Sequence, residues 1–159
     1  MSIVGKFEFV VDSPIGPLGI RASRKRVNRV EFLDRRFKPY SSDDAFTLEV
    51  TRQLEDYFCK SSIEFSIPIN LHGTDFQKQV WQLLIMIKPG EVRTYGDIAQ
   101  ELNTSPRAVG NACRSNPTPL IVPCHRVVSA DGIGGFAGTT QGRRVEVKRW
   151  LLKHEGVSL

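Results

Sequence analysis

The chain has 159 residues, 40% of them hydrophobic and 25% charged, with a formal net charge of +5. This is the make-up of a soluble globular chain with room for one ordinary domain or two small ones. No run of 18 apolar residues and no basic start followed by an apolar stretch marks a membrane span or a secretory leader, so a cytosolic chain is expected. The three cysteines, Cys59, Cys113 and Cys124, fit neither a disulfide framework nor a CxxC metal pair, and reduced thiols with no metal are expected. Residues 1–72 hold 11 Lys/Arg against 10 Asp/Glu, and residues 73–159 hold 11 against 7. The excess in the second part points toward a polyanionic partner, although on charge alone a merely well-solvated surface is the commoner case.

The stretch "KFEFVVDSPIGPLGIRASRKRVNRVEFL" alternates apolar and polar residues and breaks at Pro14-Ile15-Gly16-Pro17. It predicts a strand, a tight turn and two further strands in an antiparallel meander. Asp43-Asp44 can start a helix whose Phe46, Val50, Leu54, Tyr57 and Phe58 recur at three- and four-residue steps. "SIEFSIPINL" reads as one more extended segment. From Gly73 the character changes. Thr74 caps a predicted helix, "DFQKQVWQLLIMI", with Phe76, Val80, Leu83, Leu84 and Ile87 as its inward stripe and Pro89-Gly90 as its stop.

Two short helices follow, about 95–102 and 106–114, split by Asn103-Thr104-Ser105, with Ser105 as N-cap and Pro106 at the first helical position. Ala99 is small enough for the two to cross closely, as in a helix-turn-helix or any tight helical hairpin. Arg107, Gly110, Asn111 and Arg114 share one face of the second helix. Two guanidiniums flank a nearly bare surface there, where a major-groove reader would carry base-reading side chains in place of Ala108 and Gly110. Such a face suits close approach to a narrow groove with an arginine entering it; without a reactive cysteine downstream it would read as a solvated helix flank.

"NPTPLIVPCHRV" then predicts a short apolar strand, "LIVP", ending at Cys124. A free thiol near pKa 8.5 is only about 3% ionised at neutrality, so a nucleophile needs help. Adjacent residues on an extended chain point to opposite sides, so His125 would act on Cys124 through a bridging water. Glu155, at the end of a helix reading "RWLLKHEG", could orient and charge that histidine. A lone cysteine is as readily a packed thiol, but the glycine-rich "SADGIGGFAG" behind it allows a substrate close to the backbone.

"FQKQVW", "GEVRTYGDIA", "RAVGNACRSNP", "PLIVPCHRV", the glycine loop and "RWLLKHEG" run in order over about residues 73–156. Together they resemble the O6-alkylguanine-DNA alkyltransferase (methylated-DNA–protein-cysteine methyltransferase) family. The resemblance implies a monomer with an N-terminal RNase H-like α/β domain, an antiparallel sheet plus a helix, over 1–72. A mostly helical C-terminal domain of winged helix-turn-helix type would span 73–159. It implies repair of O6-alkylguanine in double-stranded DNA, and more weakly of O4-methylthymine, by irreversible alkyl transfer to Cys124. It implies no cofactor and no membrane, and a cytoplasmic location, nucleoid-associated in a prokaryote or nuclear in a eukaryote.

Residue by residue, the resemblance makes Cys124 the nucleophile, His125 its base through water, Glu155 the group orienting His125, and Asn116 the brace of the turn. Tyr95 would push a phosphate during base flipping and donate to guanine N3. Arg107 would fill the gap in the base stack. Thr94, Tyr95, Arg107, Ala108, Gly110, Asn111 and Arg114 would meet DNA. The base pocket would take the Cys124 and Val127 carbonyls, Cys113 as a wall, and an amide of Phe136 or Ala137. A DNA-binding module without transfer would lack the cysteine. A regulator with a redox cysteine or a thiol hydrolase fits the bare helix face and the Cys–His adjacency less well.

Overall fold

The computed structural model describes residues 6–134 and 142–159, and the chain divides into two compact units, Met1–Leu71 and His72–Leu159. The architecture is mixed α/β, with a small antiparallel sheet and five helices among the described residues. Among the described residues no helix is long and apolar enough to cross a membrane.

In the first unit, β1 (Phe9–Val11), β2 (Leu18–Ser23) and β3 (Arg26–Phe32) form the meander in the order β1-β2-β3. Val11 pairs with Leu18 across the Pro14–Pro17 turn. Alternation sends Leu18 and Ile20 into the core, and a bulge opposite Arg21–Ala22 brings both Val27 and Val30 to the same side. Helix α1 (Ala45–Cys59) starts where Asp44 accepts from the Thr47 amide, and it buries Val50, Leu54 and Tyr57. "SIEFSIPINL" forms no strand of its own. It stays extended and its backbone is clipped to β3 at Val27, by Val27 N–H to the Pro68 carbonyl and Asn70 N–H to the Val27 carbonyl. Pro68 has no amide proton to extend a ladder.

In the second unit, α2 (Asp75–Ile85) opens with a capping box between Thr74 and Gln77. Its stripe buries Val80, Trp81 and Leu84, with Ile87 just beyond. The Trp81 indole N–H donates to the Ala112 carbonyl at 2.8 Å. Helix α3 (Tyr95–Leu102) is capped by Thr94 and closed by Asn103 in the left-handed conformation. Helix α4 (Pro106–Arg114) is capped by Ser105. Ala99, Val109 and Ala112 are buried where α3 and α4 pack.

A two-residue parallel pairing that the sequence does not announce joins β4 (Arg93–Thr94) to β5 (Val127–Val128). It ties the start of α3 to the chain directly after the cysteine. Helix α5 (Arg143–His154) completes the unit.

Candidate active site

The segment before Cys124 corrects the sequence reading. "LIVP" is a turn and not a strand: Pro119 bridges to Val122, and Leu120 between them has φ 78°. A run of branched apolar residues has strand composition, but a closed Thr118-to-Val122 backbone hydrogen bond of 2.9 Å takes precedence here. Asn116 fixes this turn from both ends. Its Oδ1 accepts from the Thr118 amide at 3.0 Å and its Nδ2 donates to the Val122 carbonyl at 2.9 Å. Cys124–Arg126 then forms a single 3-10 turn. Successive side chains on such a turn diverge by about 120° and not by the 180° of an extended chain.

All three side chains of that turn are buried. His125 Nε2 lies 2.8 Å from Glu155 Oε2. Arg126 donates to the same carboxylate from Nε (2.8 Å) and Nη2 (2.9 Å), and from Nη1 to the Ile87 carbonyl at 2.6 Å. Burial alone would raise the Glu155 pKa, but the bonds from His125 and Arg126 outweigh it and hold the carboxyl well below its usual range. An ionised carboxylate only accepts, so Nε2 carries the imidazole proton. Burial also lowers the His125 pKa in spite of Glu155. The resting ring is therefore neutral with a basic Nδ1, and that atom is buried with no hydrogen-bond partner among the described residues.

Glu155 is held by the way α5 ends. It is the C-cap, followed by Gly156 at φ 85°. Val157 N–H returns to the Leu152 carbonyl and Gly156 N–H to Lys153, the Schellman closure that favours glycine.

Burial pushes the Cys124 thiol up to about 11; a hydrogen bond with Asn116 and the charge of Lys148 pull it back. The charge favouring its thiolate therefore comes from Lys148 and not from the His125–Glu155 pair, because that imidazole is neutral. Lys148 was not anticipated. It is fully buried on α5, donates to the Val127 carbonyl at 2.7 Å, and sits 5.7 Å from the centre of the Tyr95 ring. Burial lowers its pKa to about 8, against the pull of Cys124 and Cys113.

Tyr95 and Cys113 are half-buried. Burial raises both their pKa values, and nearby Cys124 adds to each shift. Gly134 has φ 73°, and a Cβ there would meet Ser129 Oγ at 2.9 Å and the Tyr95 ring at 3.2 Å, so a glycine here lets the backbone pass close to the tyrosine. Tyr95, Cys113, Cys124, Val127 and Lys148 thus form one cluster.

Arg107, Asn111 and Arg114 are exposed along α4, with Ala108 and Gly110 half-buried between them. A Cβ on Gly110 would meet nothing within 4 Å, so its bareness serves no internal packing. The Thr94 hydroxyl is engaged in capping α3. Phe136 and Ala137 lie outside the described residues. His154 stacks on Trp150, and Cys59 is exposed. Among the described residues no group of three metal-binding side chains occurs.

Residues 75–157 match the family model described as 6-O-methylguanine DNA methyltransferase, DNA binding domain. A methylated-DNA–protein-cysteine methyltransferase of Sulfolobus acidocaldarius is 34% identical over 150 residues, covering 94% of this chain and 93% of the relative. The chain belongs to the methylated-DNA–protein-cysteine methyltransferase family. Solved structures agree. The Mycobacterium tuberculosis O6-methylguanine methyltransferase superposes with a TM-score of 0.78 at 36% identity, covering 93% of this chain and 92% of that one. OGT of the same organism in complex with DNA gives 0.74 at 35% identity, covering 92% and 90%. As a methylated-DNA–protein-cysteine methyltransferase, this chain is a DNA-repair enzyme that transfers an alkyl group and has DNA as its partner.

Proposed function

We propose that the chain reverses O6-alkylguanine damage in duplex DNA, and more weakly O4-methylthymine, by a single irreversible transfer to Cys124. The observation that carries this is the buried turn in which Asn116 meets the thiol while His125, oriented through Nε2, keeps Nδ1 free to accept a proton.

The target carbon lies inside a duplex, so the nucleotide is first extruded at a cost of a few kcal/mol. Helices α3 and α4 act as a helix-turn-helix (of winged type) on the minor groove, and the N-terminal domain is of the RNase H-like type. The bare α4 face at Gly110 allows close approach, and Arg107 fills the gap in the stack. The thiol proton passes through a water to His125 Nδ1, and Glu155 compensates the imidazolium that results. The Cys124 sulfur then attacks the alkyl carbon in line. The new S–C bond takes its electrons from sulfur, and the C–O6 pair leaves with the guanine, which Tyr95 protonates at N3. The resting thiol is neutral, so proton removal belongs to the reaction and not to a standing thiolate. The protein acts as a monomer, and each molecule acts once, because a thioether is stable to water.

Intact mass after incubation with excess O6-methylguanine duplex tests this. One added methyl per protein, mapped to Cys124 and not to Cys113 or Cys59, is expected. Cys124→Ser is expected to bind the lesion and gain nothing. Continued turnover, or lesion binding by the parent protein with no mass gain, would refute the reading.

A further inference from the structure

Between Asp12 and Glu31 the chain carries five cations, Arg21, Arg24, Lys25, Arg26 and Arg29, and no acid. Folding gathers all five on β2, β3 and the turn joining them. Ser23 pairs with Arg26, so the loop has just two residues, Arg24 at φ 50° and Lys25 at φ 59°. Two successive left-handed residues make the hairpin turn that Asn-Gly adopts without strain. An Arg-Lys pair there costs about 1–2 kcal/mol per residue.

Arg21 also lies directly across from Arg29, a like-charge pair that works against the sheet. Both leave from the face opposite to the buried Ile20 and Val30. Arg21 reaches the Lys6 carbonyl at 2.9 Å, Arg29 the Glu31 carboxylate at 2.8 Å, and Arg26 the Ile69 carbonyl at 3.4 Å. Arg24 and Lys25 are exposed, and among the described residues neither forms an ion pair. The carboxylates beside the turn, Glu8, Asp44 and Glu49, are engaged by the Ala22 amide, the Thr47 amide, and Arg52 with Gln53 respectively.

Several local choices thus oppose the fold and aid no packing; what they share is concentrated positive charge at a solvated tip. We propose that this hairpin is a sequence-independent contact for the DNA phosphate backbone, held by the N-terminal unit and separate from the alkyl-transfer machinery. It rests on DNA being the partner, not on the cysteine chemistry. A lipid surface fits less well, because none of the exposed large apolar side chains (Leu48, Ile85, Met86 and Leu159) lies on the hairpin.

The test compares two double variants, Arg24→Asn/Lys25→Gly and Arg24→Gln/Lys25→Gln, with Lys38→Gln/Lys60→Gln, which removes the same charge elsewhere on that unit. The Asn-Gly variant is expected to melt higher, because its turn is unstrained. Both hairpin variants are expected to bind undamaged duplex on the order of tenfold more weakly at low salt. The slope of log K against log salt should flatten by about 1.8 for two lost phosphate contacts. Transfer from free O6-alkylguanine base should stay at the parent rate. Unchanged duplex affinity and slope, or an equal loss in the Lys38/Lys60 variant, would overturn the proposal. So would unchanged duplex binding with lost binding to phosphatidylserine vesicles. If the cysteine chemistry were misassigned instead, the parent itself would give no free-base transfer.

Discussion

Glu155 accepts three charge-assisted hydrogen bonds, one from His125 and two from Arg126, in a fully enclosed site. Glu155→Gln keeps the shape but leaves the Arg126 guanidinium buried without its counter-charge. A stability loss of about 3–5 kcal/mol is expected from denaturant unfolding, together with slowed transfer. The same trio sets the acid response. Below 6.5 the unfolded chain takes up the proton that buried His125 resists, so stability declines there and not above it. The depressed Glu155 adds stability that is complete above 4.5 and lost as pH falls below that value. Melting temperature should be level between about 6.5 and 8, fall below 6.5, and steepen below 4.5, with the second stage weaker in Glu155→Gln but kept in part by the depressed carboxyls of Asp44, Glu49 and Asp97. Scanning calorimetry across that range checks both stages. The pairing of His125 with Glu155 was legible because histidine and carboxylate suggest each other. Lys148 was not, because "RRVEVKRW" reads as a solvated flank, and only the fold reveals which of its cations turns inward.

Helices α3 and α4 were readable almost to the residue, since Thr94, Asn103, Ser105 and Pro106 are all boundary signals. The β4–β5 pair was not, for two residues carry no periodicity. Nor was the Leu120 turn, where a bulky side chain takes a backbone conformation that sequence statistics assign to glycine. Two substitutions probe what these helices present. Gly110→Ala places a methyl in open space, so it should stabilise α4 by about 0.5–1 kcal/mol. If the bare face receives DNA, the same change weakens duplex binding; a variant that gains stability and loses no affinity would remove that role. Tyr95→Phe keeps the ring beside Gly134 and Lys148 while deleting the hydroxyl. Slower single-turnover transfer at near-parent DNA affinity is expected, and transfer at the parent rate would leave Tyr95 a packing residue.

At the scale of the molecule, the near-even charge of residues 1–72 hides a local imbalance. Acids elsewhere in that stretch cancel the five cations of the hairpin in any count, so net charge alone pointed to the second unit. The chemistry-bearing side chains all sit in that unit, and so do both tryptophans, Trp81 and Trp150. Trp81 is enclosed and bonded to the α4 backbone, while Trp150 is stacked on His154 along α5. Intrinsic indole emission therefore originates in the second unit, while far-ultraviolet dichroism sees the helices and strands of both. Melting curves from the two signals coincide only if the units unfold as one cooperative body. The chain thus carries a built-in optical label for the unit that does the repair, and any dye or tag for that purpose is superfluous.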